Sequence, residues 1–240
     1  MSAYWDPQEK HNLRCEKERT KAVKKAVIFD MDGLMIDSER VTWEGYAKQC
    51  KAHGYTMTYE FYLSMVGNPM SVVRKMLKEH FGDNFPMEQI IHTIHEDMDC
   101  EFRECGVPVK KGLKEILCYC KAKGLFTLVA TSSDRNRVER ILEYAGVKEY
   151  FTDIICGNEV INGKPAPDIF LKGCQMLGVQ PQEAFVLEDS ELGVLAAHRA
   201  GIDVICVPDL KKPGKEFKEL ALAVADSLVE AKDIIEGLVG

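Results

Sequence analysis

The sequence predicts an α/β protein, a doubly wound parallel sheet with a small helical cap inserted after its first strand. Two observations support this fold class. Short apolar runs closed by small or acidic residues alternate with helical patterns along most of the chain, which is typical of a parallel sheet covered by helices. One long segment behind the first apolar run carries helical patterns only, so we expect it to fold as a separate unit.

The predicted strands are five short apolar runs. Continuous apolar runs of this length, bounded by turn signals, are typical of strands that are buried on both faces. In chain order the runs cover residues 25–30, 125–131, 151–157, 184–189 and 203–208. Helical patterns lie between them at residues 112–123, 135–145, 167–177 and 192–200. Three of these patterns close with a glycine that suits a helix C-terminus, namely Gly124, Gly146 and Gly201.

Residues 38–106 form the predicted helical cap. A stretch of roughly 70 residues without a convincing strand is far too long for a crossover loop, and its helical pattern breaks near Gly54, Gly67 and residues 82–86. The cap leaves the core just beyond the first strand, so we expect it to cover that strand's end and exclude water there. The predicted division is a polar N-terminal extension (1–22), an α/β core (23–37 and 107–240) and the cap (38–106).

Composition and charge exclude several classes of partner. The chain has 240 residues, a net charge of -7 and no basic patch, so nucleic acid is not expected as a partner. No apolar run approaches the roughly 18 residues of a membrane span, and residues 1–20 lack the apolar core of a signal peptide. The nine cysteines are scattered without a C-x-x-C pair. We therefore expect a reduced, cytoplasmic protein, with no membrane partner and a monomeric state.

Polar side chains follow the predicted strands. Asp30 and Asp32 close the first, the Thr131-Ser132 pair closes the second, and the Glu188-Asp189 pair closes the fourth. Lys164 lies in a loop rich in glycine and proline. Because the carboxyl ends of parallel strands meet at one edge of a sheet, ligands bind there. Neighbouring carboxylates repel each other unless a cation or a proton intervenes, so the acidic groups suit Mg²⁺.

Each of these motifs also has a plainer interpretation. The Asp-x-Asp-Gly motif could be a strand followed by a turn, and Thr131-Ser132 or Glu188-Asp189-Ser190 could cap a helix. A lone lysine in a loop is usually solvated. Together, however, the groups suit a phosphoryl ligand, because hydroxyl and N–H groups bind its oxygens, a lysine adds a point charge, and a metal offsets its charge. Phosphoryl transfer requires mainly such positioning and electrostatic stabilisation.

Four ordered motifs, F-D-M-D-G, V-A-T-S-S, G-K-P-A-P-D and L-E-D-S-E-L-G, identify a family resemblance. From about residue 24 to the C-terminus the chain resembles the haloacid dehalogenase superfamily, in its subgroup of β-phosphoglucomutase-like phosphatases and phosphomutases. The resemblance implies that Asp30 is the nucleophile and forms an aspartyl-phosphate. It implies that Asp32 is the general acid/base, for which we expect a raised pKa, since an acid must start protonated.

The resemblance also implies the binding roles. Thr131, Ser132 and Lys164 would bind the phosphoryl group. Mg²⁺ would be held by Asp30, the main-chain carbonyl of Asp32, and Asp189 with support from Glu188. The helical cap of this subgroup corresponds to the predicted insertion.

Three positions favour a phosphatase over a mutase. Thr42, Met70 and Asp134 stand where mutases of the subgroup resemble each other in carrying histidine, arginine and lysine, although Arg74, Lys75 or Lys78 could compensate. We therefore predict a phosphatase acting on a small phosphorylated metabolite, a sugar phosphate or a nucleotide-like monophosphate. A phosphomutase is the alternative, and a non-catalytic phosphate-binding module is a third possibility. Aromatic residues of the cap could stack on a sugar or base, but packing within the cap is the favoured interpretation.

Overall fold

The computed structural model describes residues 22–239. Within that range a six-stranded parallel sheet has the strand order β3-β2-β1-β4-β5-β6. The predicted α/β fold class is confirmed. The strands are β1 (Ala26–Phe29), β2 (Phe126–Thr131), β3 (Asp153–Cys156), β4 (Ala184–Glu188), β5 (Asp203–Cys206) and β6 (Ala223–Val224). The predicted extension lies outside the described residues except for Ala22.

Helices cover the sheet and form the cap. They are α1 (Ser38–Ala52), α2 (Tyr59–Met65), α3 (Met70–Phe81), α4 (Met87–Cys105), α5 (Leu113–Ala122), α6 (Arg135–Tyr144), α7 (Asp168–Leu177), α8 (Glu191–Arg199), α9 (Lys215–Leu220) and α10 (Leu228–Val239). The sequence analysis did not predict α9, β6 or α10. In the described part of the chain, no helix has the length and apolar character that a membrane crossing requires.

The sheet is buried on both faces, and β1 shows why. Its side chains alternate, because successive residues of a strand point to opposite faces. Val27 and Phe29 pack in a core cluster with residues of α5, α6 and α10. Ala26 and Ile28 pack in a second cluster with residues of α7 and α8. Since β1 lies between β2 and β4, its carboxyl end is central to the edge where ligands are expected.

The cap helices α1 to α4 bury an apolar cluster of their own. Tyr46, Tyr62, Leu77 and Ile94 belong to it. Helix α1 packs closely on α4 because Gly45 leaves room for Ile94, whose Cγ2 atom would lie 2.9 Å from a Cβ at residue 45. The cap aromatic residues contact each other, as the Trp43–Tyr59 and Tyr55–Phe85 pairs do, and the expectation that they pack is confirmed.

Two adjacent segments, residues 35–37 and 108–110, connect the cap to the core; we call them the hinge. The Asp37 N–H donates to the Pro108 carbonyl at 2.8 Å, and the Lys110 N–H donates to the Met35 carbonyl at 2.9 Å. The Lys110 ammonium donates to Asp37 Oδ1 at 3.1 Å and to Asp209 Oδ1 at 2.5 Å. The chain therefore enters and leaves the cap at one place, beside the end of β1.

Candidate active site

Asp30, Lys164 and Glu188 form a buried charged group at the carboxyl edge of the sheet. Asp30 follows β1, and its N–H donates to the Leu187 carbonyl of β4 at 3.0 Å. The Lys164 ammonium donates to Asp30 Oδ1 at 2.6 Å and also to Glu188 Oε1. Only 8% of the Lys164 side chain is exposed, so the interpretation of Lys164 as a solvated loop residue is wrong.

An acidic cluster lies beside this lysine. Oxygens of Asp30, Glu188 and Asp189 lie within 4.8 Å of one another. Burial, followed by the negative charge of Glu188, raises the pKa of Asp30 to about 7 although Lys164 opposes the change. Burial, followed by the charges of Glu188 and Asp30, also raises the pKa of Asp189 well above its ordinary value. The repulsion between these neighbouring carboxylates opposes their simultaneous ionisation unless a cation lies between them. The cluster therefore suits a hard divalent cation such as Mg²⁺.

Two glycines make room for these carboxylates. A Cβ at residue 33 would overlap the carboxyl group of Asp189, and a Cβ at residue 193 would overlap that of Glu188. Gly33 also has a φ of +81°, which favours glycine. Helix α8 is capped by Ser190, whose Oγ accepts from the Gly193 N–H at 3.1 Å. The cap predicted for the segment Glu188-Asp189-Ser190 is therefore confirmed at Ser190, while Glu188 and Asp189 belong to the acidic cluster.

Thr131 and Ser132 lie at the end of β2, on the same edge. The Thr131 side chain is buried, and its Oγ1 accepts a hydrogen bond from the Ser133 N–H at 3.1 Å. Ser132 is exposed. The N-cap of α6 is Asp134, so neither Thr131 nor Ser132 caps that helix. The pairing of β1 with β2 brings the ends of both strands to the same edge of the sheet, and the phosphate-binding role of Thr131 and Ser132 remains a prediction.

Asp32 lies beside the acidic cluster but binds a different partner. Arg137 donates from Nη2 to Asp32 Oδ1 and from Nη1 to Asp32 Oδ2, each at 2.9 Å, and Ser133 Oγ donates to Oδ2 at 2.8 Å. Burial alone would raise the pKa of Asp32, but the Arg137 charge and the hydrogen bonds from Arg137 and Ser133 outweigh it and lower that pKa. The expected raised pKa of Asp32 is therefore wrong for this structure. The predicted metal contact of its main-chain carbonyl remains a prediction.

Arg137 was not among the predicted site residues. One signal was present: cations are unfavourable in the first turn of a helix, yet α6 begins with Arg135-Asn136-Arg137 and has no acidic residue there. Arg135 donates to Glu159 at 2.6 Å, and Arg137 pairs with Asp32. Both arginines therefore donate hydrogen bonds to acidic residues outside α6.

A cavity of about 1240 Å³ opens beside Asp189 between the cap and the core. Its cap side is lined by Ser64, Val66, Gly67, Asn68 and Met76, and its core side includes Asp209, Lys211 and Lys212. The cavity therefore offers space for a small molecule next to the acidic cluster.

Arg74, Lys75 and Lys78, which could have replaced missing mutase features, pair instead with acidic residues of the cap, namely Glu88, Glu79 and Asp83.

A family model described as haloacid dehalogenase-like hydrolase matches residues 27–207. The chain therefore belongs to the haloacid dehalogenase-like hydrolases. It is 32% identical to a phosphorylated carbohydrates phosphatase of Thermotoga maritima, over 89% of this chain and 97% of that relative. It is 31% identical to a Drosophila melanogaster protein named probable pseudouridine-5'-phosphatase, over 85% of this chain and 90% of the relative. The crystal structure of CbbY from Rhodobacter sphaeroides in complex with phosphate matches with a TM-score of 0.72 and 27% identity, over 86% of this chain and 96% of that chain.

Proposed function

We propose that the protein is a Mg²⁺-dependent phosphatase that hydrolyses a small phosphorylated metabolite through an aspartyl-phosphate. The observation that carries this proposal is the contact of Asp30 with Lys164 beside Glu188 and Asp189. The group combines a carboxylate nucleophile, a buried cation and an acidic cluster, which together are what phosphoryl transfer to a carboxylate requires. The relatives named as phosphatases support the same reaction.

In the first step, an Asp30 oxygen attacks the phosphorus of the ester. The bond between phosphorus and the ester oxygen breaks, and Asp32 gives its proton to that oxygen, which leaves as an alcohol. Lys164, Thr131 and Ser132 hold the phosphoryl oxygens while charge shifts between them. Bound to Asp30, Glu188 and Asp189, Mg²⁺ would offset the negative charge that otherwise opposes the approach of a carboxylate to a phosphate.

In the second step, water attacks the aspartyl-phosphate. Asp32 takes a proton from that water, the bond between phosphorus and Asp30 breaks, and inorganic phosphate leaves. The ionised Asp32 that pairs with Arg137 has the form required for this step. The first step requires the protonated form, so Asp32 has to be protonated when substrate is bound.

The substrate class is proposed from the relatives and from the cavity. One relative is named for phosphorylated carbohydrates and another for pseudouridine 5'-phosphate. A cavity of about 1240 Å³ is large enough for either kind of leaving group. We therefore propose a sugar phosphate or a nucleotide-like monophosphate as substrate.

The test is phosphate release from a panel of sugar phosphates and nucleoside monophosphates, with Mg²⁺ and with EDTA. We expect release that requires Mg²⁺ and disappears in Asp30→Asn. Asp134→Asn, the same change at an exposed residue, is the matched control and should retain full activity. Full activity of Asp30→Asn would contradict the assignment of Asp30 as the nucleophile. Absence of phosphate release from every compound would contradict the proposed phosphatase activity.

A phosphomutase is the alternative to be tested on the same site. Conversion of β-glucose 1-phosphate in the presence of a bisphosphate primer, followed by NMR, separates the two reactions. A phosphatase releases inorganic phosphate, whereas a mutase forms glucose 6-phosphate. We expect phosphate release to be faster, because Arg74, Lys75 and Lys78, the cations of α3 that could bind a second phosphate, do not line the cavity beside Asp189.

The remaining predictions about organisation are also proposals. We propose that residues 23–37 with 107–240 form the core and that residues 38–106 form the cap. The apolar cluster within the cap supports this division, and Val41, Met98 and Phe102 of the cap pack in the core cluster and attach the cap to the core. A monomeric state and a cytoplasmic location stay predictions, which gel filtration and cell fractionation would test.

A further inference from the structure

We propose that Arg137 is a positioning residue, which fixes the orientation of the Asp32 carboxyl group for proton transfer to and from the reacting oxygens. This inference rests on the proposed function, because it assigns Arg137 a role in the general acid/base step. Arg137 acts through Asp32 and not on the phosphoryl group.

The contact between the two side chains is bidentate. Both terminal nitrogens of Arg137 donate, one to each Asp32 oxygen. Ser133 closes the arrangement, because its Oγ accepts from Arg137 Nη1 at 2.7 Å and donates to Asp32 Oδ2 at 2.8 Å. A planar guanidinium that binds both oxygens fixes the rotation of a carboxyl group, which a single ammonium does not.

The position of Arg137 in its helix supports a role outside that helix. It lies in the first turn of α6, where the helix dipole disfavours a cation. Its side chain is only 27% exposed, and that of Asp32 is 26% exposed. A charge that is partly buried at an unfavourable place in its helix needs a compensating partner, and Asp32 supplies it.

The cap covers the outer side of this contact. Arg137 Nη2 lies 3.8 Å from the Met98 Sδ atom of cap helix α4. One turn further along α6, Arg140 donates to Asp99 of the same cap helix at 3.0 Å. Arg137 therefore lies between the proposed acid/base and the cap, while Arg140 connects the same two helices at a distance from Asp32. The two arginines form a natural pair of test and control.

The consequence for the reaction is geometric. An acid or base has to lie within hydrogen-bond reach of the oxygen that exchanges the proton. A misplacement of about 1 Å slows such a step by about 10²-fold. We therefore expect loss of Arg137 to slow the steps that need Asp32 and to leave the attack of Asp30 largely unchanged.

Two aryl phosphates separate these effects. Phenol is a poor leaving group and needs a proton from Asp32, whereas p-nitrophenolate leaves without one. In single-turnover experiments with Mg²⁺, we expect Arg137→Met to slow phenol release from phenyl phosphate by about 10- to 100-fold and p-nitrophenol release from p-nitrophenyl phosphate much less. Arg140→Met should affect both rates equally. An unchanged ratio of the two rates in Arg137→Met would overturn the proposal.

A double variant tests whether Arg137 acts through Asp32. If it does, Asp32→Asn with Arg137→Met should be no slower than Asp32→Asn alone, because residues that act as a unit are not additive. A further loss in the double variant would contradict the proposal. Should Arg137→Met fold poorly, Arg137→Lys keeps the charge without the bidentate contact and should show the same change in the ratio of rates.

A spectroscopic readout does not depend on turnover. In ¹⁵N spectra of the arginine side chains, a guanidinium held at both terminal nitrogens rotates slowly and gives separate N–H signals. We expect such signals from Arg137 in the wild-type protein and their collapse in Asp32→Asn. Signals that persist in Asp32→Asn would overturn the proposal even if the protein proved to be no phosphatase. Retained phosphatase activity with an unchanged ratio of aryl rates would overturn only the role of Arg137.

Discussion

Gly33 and Asp189 lie so close together that a β-carbon at residue 33 would overlap the Asp189 carboxyl group, with its Cγ atom only 2.9 Å away. Gly33 lies shortly after β1 and Asp189 directly after β4, so the contact joins the segments that leave two paired strands. The position of the Asp189 carboxylate in the acidic cluster therefore requires a residue without a side chain at position 33.

Gly33→Ala is expected to weaken Mg²⁺ dependence. The added methyl group displaces the Asp189 carboxylate, and the positive φ adds strain of about 1–2 kcal/mol. Gly54→Ala is the matched control, since Gly54 has a φ of +78° and nothing lies within 4 Å of a Cβ there. Both variants should lose thermal stability from the positive φ, Gly33→Ala more so because of the overlap, and only Gly33→Ala should need more Mg²⁺ for half-maximal phosphatase activity. Equal Mg²⁺ requirements would contradict the role of Gly33.

Gly193→Ala is expected to disturb Glu188 and to destabilise the protein. Gly193 lies in α8, where a Cβ would overlap the Glu188 carboxyl group. Gly237 lies in α10 with nothing within 4 Å of a Cβ, so Gly237→Ala should instead stabilise the protein by about 0.5–1 kcal/mol through helix propensity. Urea unfolding of both variants checks the opposite signs. A Gly193→Ala protein at least as stable as the wild type would show that the close approach is not needed.

Stability without metal is expected to fall as pH rises from about 4 to about 7. The folded protein holds the pKa of Asp30 at about 7, whereas an unfolded aspartate titrates near pH 4. The folded state therefore binds more protons over this interval, and the free energy of unfolding decreases as the pH rises through it.

Added Mg²⁺ should reverse this loss, because the metal requires ionised carboxylates. The difference in Tm between samples with Mg²⁺ and with EDTA should be larger at pH 8 than at pH 5. Asp30→Asn should reduce both the fall with pH and the effect of Mg²⁺. An effect of Mg²⁺ on Tm that is the same at both pH values would contradict the acidic cluster as a metal site.

Lys110→Met is expected to destabilise the hinge. Lys110 is the hydrogen-bond partner of Asp209 Oδ1, and the other oxygen of Asp209 is buried without a partner. Loss of the ammonium leaves the Asp209 carboxylate without a compensating charge. For a partly buried pair, this should lower the free energy of unfolding by about 2 kcal/mol. Adding Asp209→Asn should restore most of the stability.

Lys48→Met is the control for the hinge variant. Lys48 pairs with Asp97 on the exposed surface of the cap, and such pairs contribute little to stability. Its Tm should therefore stay close to that of the wild type. A fall in Tm as large as that of Lys110→Met would mean that the hinge contact contributes no more to stability than an exposed ion pair does.

The sheet could be predicted because its strands are buried on both faces and are therefore continuously apolar. Strands β1 to β5 each lie inside one of the predicted runs. The edge strand β6 has only two residues, too few to produce a pattern. Helix α10 was overlooked, although its buried residues Leu228, Ala231 and Ile235 recur at helical spacing.

The site could be predicted only as far as the strand ends determine it. Asp30, Thr131, Glu188 and Asp189 lie at one edge because the strands are parallel and in register. The lowered pKa of Asp32 could not be predicted, since it depends on Arg137, which is distant in sequence and becomes its neighbour only in the folded chain. The sequence indicates which residues are charged, but packing decides which of them meet.

The hinge has a consequence for how such a protein can diversify. The Asp37 N–H and the Pro108 carbonyl are hydrogen-bonded neighbours, so the intervening segment starts and finishes at a single point on the core. Segments with neighbouring ends can be exchanged without displacing the chain on either side. A replacement of any length could occupy that junction while Asp30, Lys164 and the acidic cluster stay in place. Substrate specificity could then change when one contiguous segment, the cap, is replaced. The residues of the core that carry the proposed chemistry would stay the same.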